Sequence, residues 1–309
     1  MESKLQLANA QLESVHQQQG MIVRTEDLLR VLAVDPTQVL RDIDAAIRGG
    51  QIRNYAVQGR GHMLMQHSKF QDWLSSAQSR SLLVDGNAES SMERISAMSV
   101  VCALLSQSLQ NETASTISYF CGMHTDHADG LTGPINLVRN LLAQLIYIHK
   151  LDTSFLEGGA YRQFEHFDLR RLCILLVELV RKLPYGAVLF CIVDGISWIE
   201  AEESLQEACF VVRTLNDLTR DPEVRAVFKL LITSPLASRY VAGYIPFSDR
   251  LSLRREVAES DGSSLTPRHV MLRLPEGREE PFDEVVQDVD SDEGFVEGGF
   301  DEGIILDDD

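Results

Sequence analysis

The sequence lacks the features that mark membrane and secreted proteins. No window approaches the ~20 successive apolar residues of a membrane-spanning helix. The first residues are polar and rich in glutamine, which is not the composition of a secretory signal. There are only 5 cysteines. Their number is odd, none are spaced as CxxC, and most lie in apolar runs, which is typical of reduced, buried thiols. These absences predict a cytoplasmic protein without a membrane association.

Basic residues are also scarce, most strongly towards the carboxyl terminus. The chain has 28 Lys and Arg against 46 Asp and Glu, a formal net charge of -18. Fifteen of these acids lie in 276–309, where Arg278 is the only base. So acidic a segment repels phosphate backbones, and nucleic acid is therefore not an expected partner. Residues 257–309 are also rich in Ser and Gly, so we expect a largely disordered acidic tail, with 270–274 as a candidate edge strand.

The middle of the chain alternates apolar runs with helical patterns. Strands are predicted at 81–85, 116–121, 187–193, 227–233 and 250–254, and helices at 94–109, 133–148, 168–179 and 202–218. Strands that are apolar on both faces and separated by helices form parallel sheets covered on two sides. The pattern therefore predicts an α/β fold, a parallel sheet flanked by helices, over residues 69–256.

Residues 1–68 predict a helical lead-in to this domain. Helical patterns are visible at 1–19, 25–32 and 36–47, and Gly49-Gly50 is expected to stop the last of them. An alternative treats 51–57 and 62–65 as the two strands of a wing, which would make the segment a winged-helix DNA binder. The segment has no basic recognition helix, and we therefore favour the lead-in.

Ligands of open α/β sheets bind at the carboxyl ends of the strands. Three predicted strand ends carry candidate residues: Gly86, Asp194 and the pair Thr233-Ser234. Asp194 follows a wholly apolar strand, which is the position of a Walker B aspartate and makes it a candidate metal ligand. The alternative is a carboxylate that caps the loop after the strand.

A working P-loop reads GxxxxGK[ST], because the glycines let backbone amides wrap the phosphates, the lysine neutralises charge and the hydroxyl holds magnesium. Starting this register at Gly86 puts Ser91 at the second glycine, Met92 at the lysine and Glu93 at the hydroxyl. A glutamate at this position repels phosphate.

A second register takes Ser99 as the hydroxyl. It puts Met92 and Ala97 at the glycines and Met98 at the lysine. Neither register contains a lysine, and we therefore do not expect strong Mg-ATP binding through the usual cradle.

Six segments follow one another over about residues 69–256: FQDWL, SLLVDGN, ISYFCGMH, GPINLVRNLLAQL, AVLFCIVDGISWIE and FKLLITSP. In this order they resemble the NACHT-type NTPase modules of filamentous fungi. These are relatives of nephrocystin-like N-terminal domains, in the STAND class of signalling ATPases. The resemblance implies a P-loop NTPase-like fold with ATP or GTP and magnesium as the cofactors to consider. No internal repeat of the kind that follows the NTPase module in STAND proteins is visible.

The sequence departs from the family pattern at two further motifs. After Asp194, the family's DGxDE carries Ser197 and Trp198 instead of the acidic pair, and Glu200 is out of register. The family's TSRP has Pro235 in place of its arginine, and the nearest arginine is Arg239.

Together with the missing lysine, these losses remove three charges that phosphoryl transfer uses. They predict a degenerate NTPase that acts as a regulatory or protein-interaction module, with a protein partner and at most weak nucleotide binding. The alternative is a divergent NTPase, and the winged-helix DNA binder ranks third. The sequence does not predict an oligomeric state.

The segment CGMHTDH holds the zinc-ligand types Cys121, His124, Asp126 and His127. Their spacing is too tight for a zinc finger and no second ligand pair follows. We interpret the segment as a strand end that runs into a polar loop. A Ser-His-Asp or G-x-S-x-G arrangement is also absent from the sequence, which gives hydrolase chemistry of that type no support.

Overall fold

The computed structural model describes residues 25–52, 55–87, 94–126, 128, 130–151 and 168–254. The predicted helix at 1–19, the candidate edge strand at 270–274 and the acidic tail lie outside the described residues. The predicted boundaries of the lead-in and the tail stay predictions.

The core of the described chain is a five-stranded parallel sheet in the order β2-β3-β4-β1-β5. The strands are β1 (Arg80–Asp85), β2 (Ala114–Phe120), β3 (Val188–Asp194), β4 (Val227–Ser234) and β5 (Arg250–Ser252). The α/β prediction is confirmed, and each of the five strands predicted between 81 and 254 is present. The order places β4 between β1 and β3, so the ends of these three strands are neighbours at one edge.

Helices cover both faces of the sheet. They are α1 (Thr25–Leu32), α2 (Gln38–Ile52), α3 (Tyr55–Gln66), α4 (Ser68–Ser75), α5 (Ala97–Ser108), α6 (Gly133–His149), α7 (Leu169–Arg181) and α8 (Leu205–Leu218). One apolar cluster joins α2, α3, α4 and α5 to one face, and a second joins α1, α6, α7 and α8 to the other. None of the helices in the described segments has both the length and the apolarity to cross a membrane.

The expectation that Gly49-Gly50 stops a helix is wrong, since α2 continues to Ile52. A Cβ added at Gly49 would lie 2.9 Å from Ile95 Cδ1, and one added at Gly50 would lie 2.4 Å from a Val100 methyl. The glycines therefore serve a close approach of α2 to the start of α5. In sequence, a glycine that ends a helix and one that lets two segments meet look alike.

The wing of the winged-helix alternative is also wrong. The second predicted wing strand, 62–65, lies inside α3, and the first, 51–57, contributes its described residues to α2 and α3. Gly59 and Gly61, which lie between the two predicted wing strands, are buried within α3. Burial of Leu64 against the α5 side of the sheet favours helix here, so packing overrides the local turn signal.

A buried lysine ties α4 to the sheet. Lys229, on β4, donates a 2.7 Å hydrogen bond from Nζ to the carbonyl oxygen of Trp73 near the end of α4. Burial, with a smaller contribution from Arg80, lowers the pKa of this ammonium to about 8. The cation satisfies a carbonyl at the negative end of the helix dipole.

Candidate functional site

The parallel sheet brings the candidate residues to one edge. Asp85 pairs in register with Ser234, and the next residue, Gly86, donates its backbone N–H to the Ser234 carbonyl at 2.8 Å. Asp194 ends β3 on the other side of β4 and contacts Thr233. Gly86, Asp194, Thr233 and Ser234 therefore lie together, as expected for strand ends in a parallel sheet.

Asp194 is buried, and Thr233 Oγ1 donates a 2.6 Å hydrogen bond to its Oδ1. Burial raises the pKa of this carboxyl to about 6, while hydrogen bonds from Ser99 and Thr233 act in the opposite direction. The thiol of Cys102 lies near the same group, and burial, with the Asp194 charge as a smaller cause, raises its pKa well above its ordinary value. The carboxylate is held by hydroxyls inside the protein and has no contact with solvent.

The hydroxyl beside Asp194 belongs to Ser99, in the first turn of α5. Ser96 caps this helix: its Oγ accepts from the backbone N–H of Ser99, and the Ser99 Oγ accepts from the backbone N–H of Ser96. This placement matches the second P-loop register. Three residues of the first register, Ser91, Met92 and Glu93, lie outside the described residues.

Met98 occupies the lysine position of that second register. Its side chain is 1% exposed and belongs to the apolar cluster beneath α5. Its Cγ would lie 3.5 Å from a Cβ added at Gly86. An apolar side chain is therefore packed against the start of the loop, where a P-loop lysine would extend towards phosphate.

Trp198 packs over the glycines that follow β2 and β3. A Cβ at Gly195, which has φ of 72°, would lie 3.1 Å from Trp198 Cδ1. One at Gly122 would lie 3.0 Å from the indole Nε1 and 2.3 Å from the carbonyl oxygen of Arg94. The residue that replaces an acid of the family's second motif thus serves packing.

Glu200 binds the loop that follows β4. Its carboxylate accepts hydrogen bonds from three successive backbone N–H groups, those of Arg239 (3.3 Å), Tyr240 (2.9 Å) and Val241 (2.8 Å). Successive backbone N–H groups of this kind form an anion-binding nest. The nest is filled by the chain's own carboxylate, and sequence analysis, which noted Glu200 only as out of register, missed this role.

Asp85, at the end of β1, binds the same loop. It accepts hydrogen bonds from the backbone N–H (2.9 Å) and the hydroxyl (3.0 Å) of Ser238. Burial raises the pKa of Asp85, the Ser238 hydrogen bonds lower it, and the negative charge of Glu200 adds a further rise. Two carboxylates therefore hold four successive residues of one loop.

The other side of the edge is fixed by Arg60 and Asn87. Arg60 Nη1 donates to the Gly86 carbonyl at 2.6 Å. Asn87, which has φ of 47°, donates from Nδ2 to Ser252 Oγ and to the Leu253 carbonyl, both at 2.7 Å. The guanidinium of Arg60 comes from the lead-in helix α3, so α3 contributes directly to this edge.

The zinc-ligand types of CGMHTDH do not form a metal cluster among the described residues. His124 Nε2 instead lies 3.0 Å from Asp42 Oδ2 on α2, and its ring stacks on Tyr119 at 5.2 Å between centroids. His127 lies outside the described residues. His124 thus connects the end of β2 to the lead-in.

Residues 59–234 of the chain match the family model described as nephrocystin 3, N-terminal. The match includes β1 to β4 and every described candidate residue of the edge. It covers more than half of the chain's 309 residues. No curated protein and no solved structure matches the chain.

Proposed function

The chain belongs to the nephrocystin 3 N-terminal family, and on this premise we propose that it is a NACHT-like regulatory module that binds a protein partner and does not hydrolyse nucleotide. The proposal includes a cytoplasmic location and at most weak binding of ATP or GTP with magnesium.

One observation carries the non-catalytic half of the proposal: successive backbone donors of the loop after β4 are already bound to the protein's own carboxylates. Asp85 and Glu200 accept from the backbone N–H groups of 238–241, which are the kind of groups that would otherwise face an anion. Two carboxylates at this edge repel a triphosphate. Phosphoryl transfer depends on positive charge and amide donors around the phosphates. The occupied amides of 238–241 therefore support a module that does not hold a triphosphate against this loop.

Met98 adds to this argument. A lysine at its position would supply the charge that the phosphates need, whereas the thioether is apolar and buried. Ser91, Met92 and Glu93 lie outside the described residues, and their sequence adds one negative charge and no positive one.

A specific observation favours the second candidate, a divergent NTPase. Asp194 and the hydroxyls of Ser99 and Thr233 lie together, and a carboxylate with a hydroxyl is the pair that holds magnesium in P-loop proteins. If a magnesium nucleotide is bound, these three residues would hold its metal. Asp194 would first have to exchange its internal partners for the metal.

The two candidates differ in their response to nucleotide. A ligand that binds the native state raises the melting temperature, so the full chain is melted with and without millimolar Mg-ATP or Mg-GTP. We expect no shift. A rise that is lost in Asp194→Asn and kept in Asp217→Asn, an exposed carboxylate on α8, would contradict the proposal and support the NTPase.

A further inference from the structure

Two apolar depressions lie on either side of α8 at the outer surface of the helices. Their volumes are about 590 Å³ and about 410 Å³, and Phe210 of α8 lines both. The first lies between α8 and the loop 239–244, and the second lies between α8 and α7. We refer to the two together as the Phe210 groove.

The rim of this groove exposes large apolar side chains. Ile174 on α7 is 62% exposed, and Tyr240 and Tyr244 beyond α8 are 52% and 42% exposed. Single exposed apolar residues are common, but a contiguous set around a depression marks an interaction surface. Tyrosine is also a residue type that is enriched at protein interfaces.

The charges around the groove are unevenly arranged. Arg170, Arg213 and Arg239 are exposed around Phe210, and the Arg170 guanidinium lies 5.9 Å from the centre of the Phe210 ring. Within the described chain, Arg170 and Arg239 form no ion pair, and Arg213 forms one exposed pair with Asp217 at 3.7 Å. This is a cationic surface on a chain whose formal net charge is -18.

The opposite end of α7 is neutralised. Arg181 forms ion pairs with Glu178 (3.3 Å), Asp221 (2.8 Å) and Glu223 (2.6 Å). Arg170 and Arg181 are separated by about 16 Å of helix. The groove is therefore positive where α7 begins, whereas its positive charge is compensated by acidic partners where α7 ends.

We propose that the Phe210 groove binds an amphipathic helix of a partner protein, with the acidic part of that helix at Arg170 and Arg239. An amphipathic helix inserts its apolar stripe into a groove between helices and leaves its charges at the rim. The α7 residues that line the second depression, from Arg170 to Arg181, span about 16 Å, which is about three turns of a partner helix. The inference rests on the proposed role as an interaction module and names the chemistry of its partner.

The groove is also connected to the edge of the sheet formed by Asp85, Gly86, Asp194, Thr233 and Ser234, which we call the strand-end site. Arg239 and Tyr240 form part of its wall, and their backbone N–H groups are the ones that Glu200 holds. A helix that contacts this wall therefore contacts a loop fixed by the candidate site, which gives the module a physical link between the two surfaces.

The test measures binding of a fluorescein-labelled helical peptide to the full chain by anisotropy. The peptide has about 14 residues, leucine at helical spacing and glutamate concentrated in one half. A matched peptide has lysine in place of glutamate. We expect saturable binding of the acidic peptide in the micromolar range, weakened by salt, and at least about tenfold weaker binding of the lysine peptide.

Substitutions locate the binding. We expect the affinity for the acidic peptide to fall by at least about tenfold in Ile174→Asp and in the double variant Arg170→Glu with Arg239→Glu. Tyr185→Asp and Arg171→Glu, which change exposed residues that do not line the groove, are expected to leave the affinity within about twofold. The bound peptide should also slow modification of Cys209, the half-buried cysteine that lines the groove. Melting temperatures of all variants establish that each is folded.

Several results would overturn the proposal. Equal affinity for both peptides would contradict an acidic partner helix. Equal effects of the groove and control variants would contradict binding in the groove. A concentration-dependent dimer that Ile174→Asp abolishes would assign the groove to a second copy. A variant in which the acids at 276–309 are changed to amides provides a further test. If this variant binds the peptide more tightly, the groove is occupied by the chain's own acidic segment. If the peptide does not bind and Mg-ATP or Mg-GTP does not raise the melting temperature, only the proposed role of the groove is refuted. If the nucleotide raises the melting temperature, the proposed function is refuted.

Discussion

The strand-end site and the Phe210 groove differ in whether their functional groups already have partners within the chain. At the strand ends, Asp194, Asp85 and Glu200 each have partners within the chain, and Met98 is packed away from solvent. In the groove, apolar side chains and two arginines without ion pairs in the described chain face solvent. Binding free energy comes from groups that gain partners or leave water on association. Among the described residues, the comparison therefore contrasts carboxylates that already have partners within the chain with apolar and cationic side chains that are exposed on the helical face.

The largest expected effect is on the unfolding free energy and comes from a glycine near the strand-end site, with a glycine in the groove wall as its control. Gly122→Ala should destabilise the fold by about 3 kcal/mol or more, because its Cβ would lie 2.3 Å from a backbone oxygen of Arg94. Gly243→Ala, in the groove wall, should be neutral or stabilising by up to about 1 kcal/mol, because nothing lies within 4 Å of its Cβ. Urea unfolding of both variants measures the difference. Similar destabilisation by the two changes would refute the contrast between a tightly closed edge and an open groove.

The next effect concerns the buried carboxyl of Asp194. Its pKa in the folded protein, about 6, exceeds the ordinary value of 3.8, so the folded state retains a proton that the unfolded state has lost. The stabilisation associated with this proton is present below pH 4 and is lost as the pH rises through 6. Relative to wild type, Asp194→Asn should therefore gain stability between pH 4 and pH 6, reaching about 2–3 kcal/mol.

Unfolding free energies of wild type and Asp194→Asn across this pH range test the prediction, and Asp217→Asn on the exposed face of α8 is the control. If the difference in unfolding free energy between the two proteins does not change with pH, Asp194 is not desolvated. Such a result would favour a metal or nucleotide site at this edge.

A smaller effect is expected where Glu200 fills the nest. Glu200→Gln keeps the shape but weakens three charge-assisted hydrogen bonds, which should cost about 1–2 kcal/mol. The loss of charge also relieves repulsion with Asp85, but this is a minor cause of the raised Asp85 pKa and should only partly offset the loss. The measurements are unfolding free energy and the Asp85 pKa by NMR, with Glu207→Gln on α8 as the control. An unchanged stability together with an unchanged Asp85 pKa would show that Glu200 does not hold the loop.

The sequence was sufficient to predict the strands of the sheet and the edge at which their carboxyl ends meet. Apolar runs predict strands locally, and parallel strands necessarily bring Asp194, Thr233 and Gly86 to one edge. Ser99, the hydroxyl of the second P-loop register, lies beside Asp194, and Ser91, Met92 and Glu93 of the first register lie outside the described residues. The assignment of any of these residues to nucleotide binding stays a prediction.

The partners of the carboxylates could not be predicted. Glu200 binds residues 39 to 41 positions away, and His124 binds Asp42 across 82 positions. Nothing in local composition marks such pairs, because they arise only when separate elements pack. The glycines of α2 show the same limit, since their role depends on the side chains of α5 that they meet.

The smallest stability effect should come from the groove itself. Ile174→Ser removes an apolar side chain that is 62% exposed, so it loses little burial and should change the unfolding free energy by no more than about 0.5 kcal/mol. Its neighbour in space, Val177, is partly buried against the core, and Val177→Ser should cost about 1 kcal/mol or more. Chemical denaturation of the two variants under identical conditions gives the comparison. If Ile174→Ser is as destabilising as Val177→Ser, the isoleucine belongs to the core, and the groove loses the exposed apolar rim on which its binding role depends.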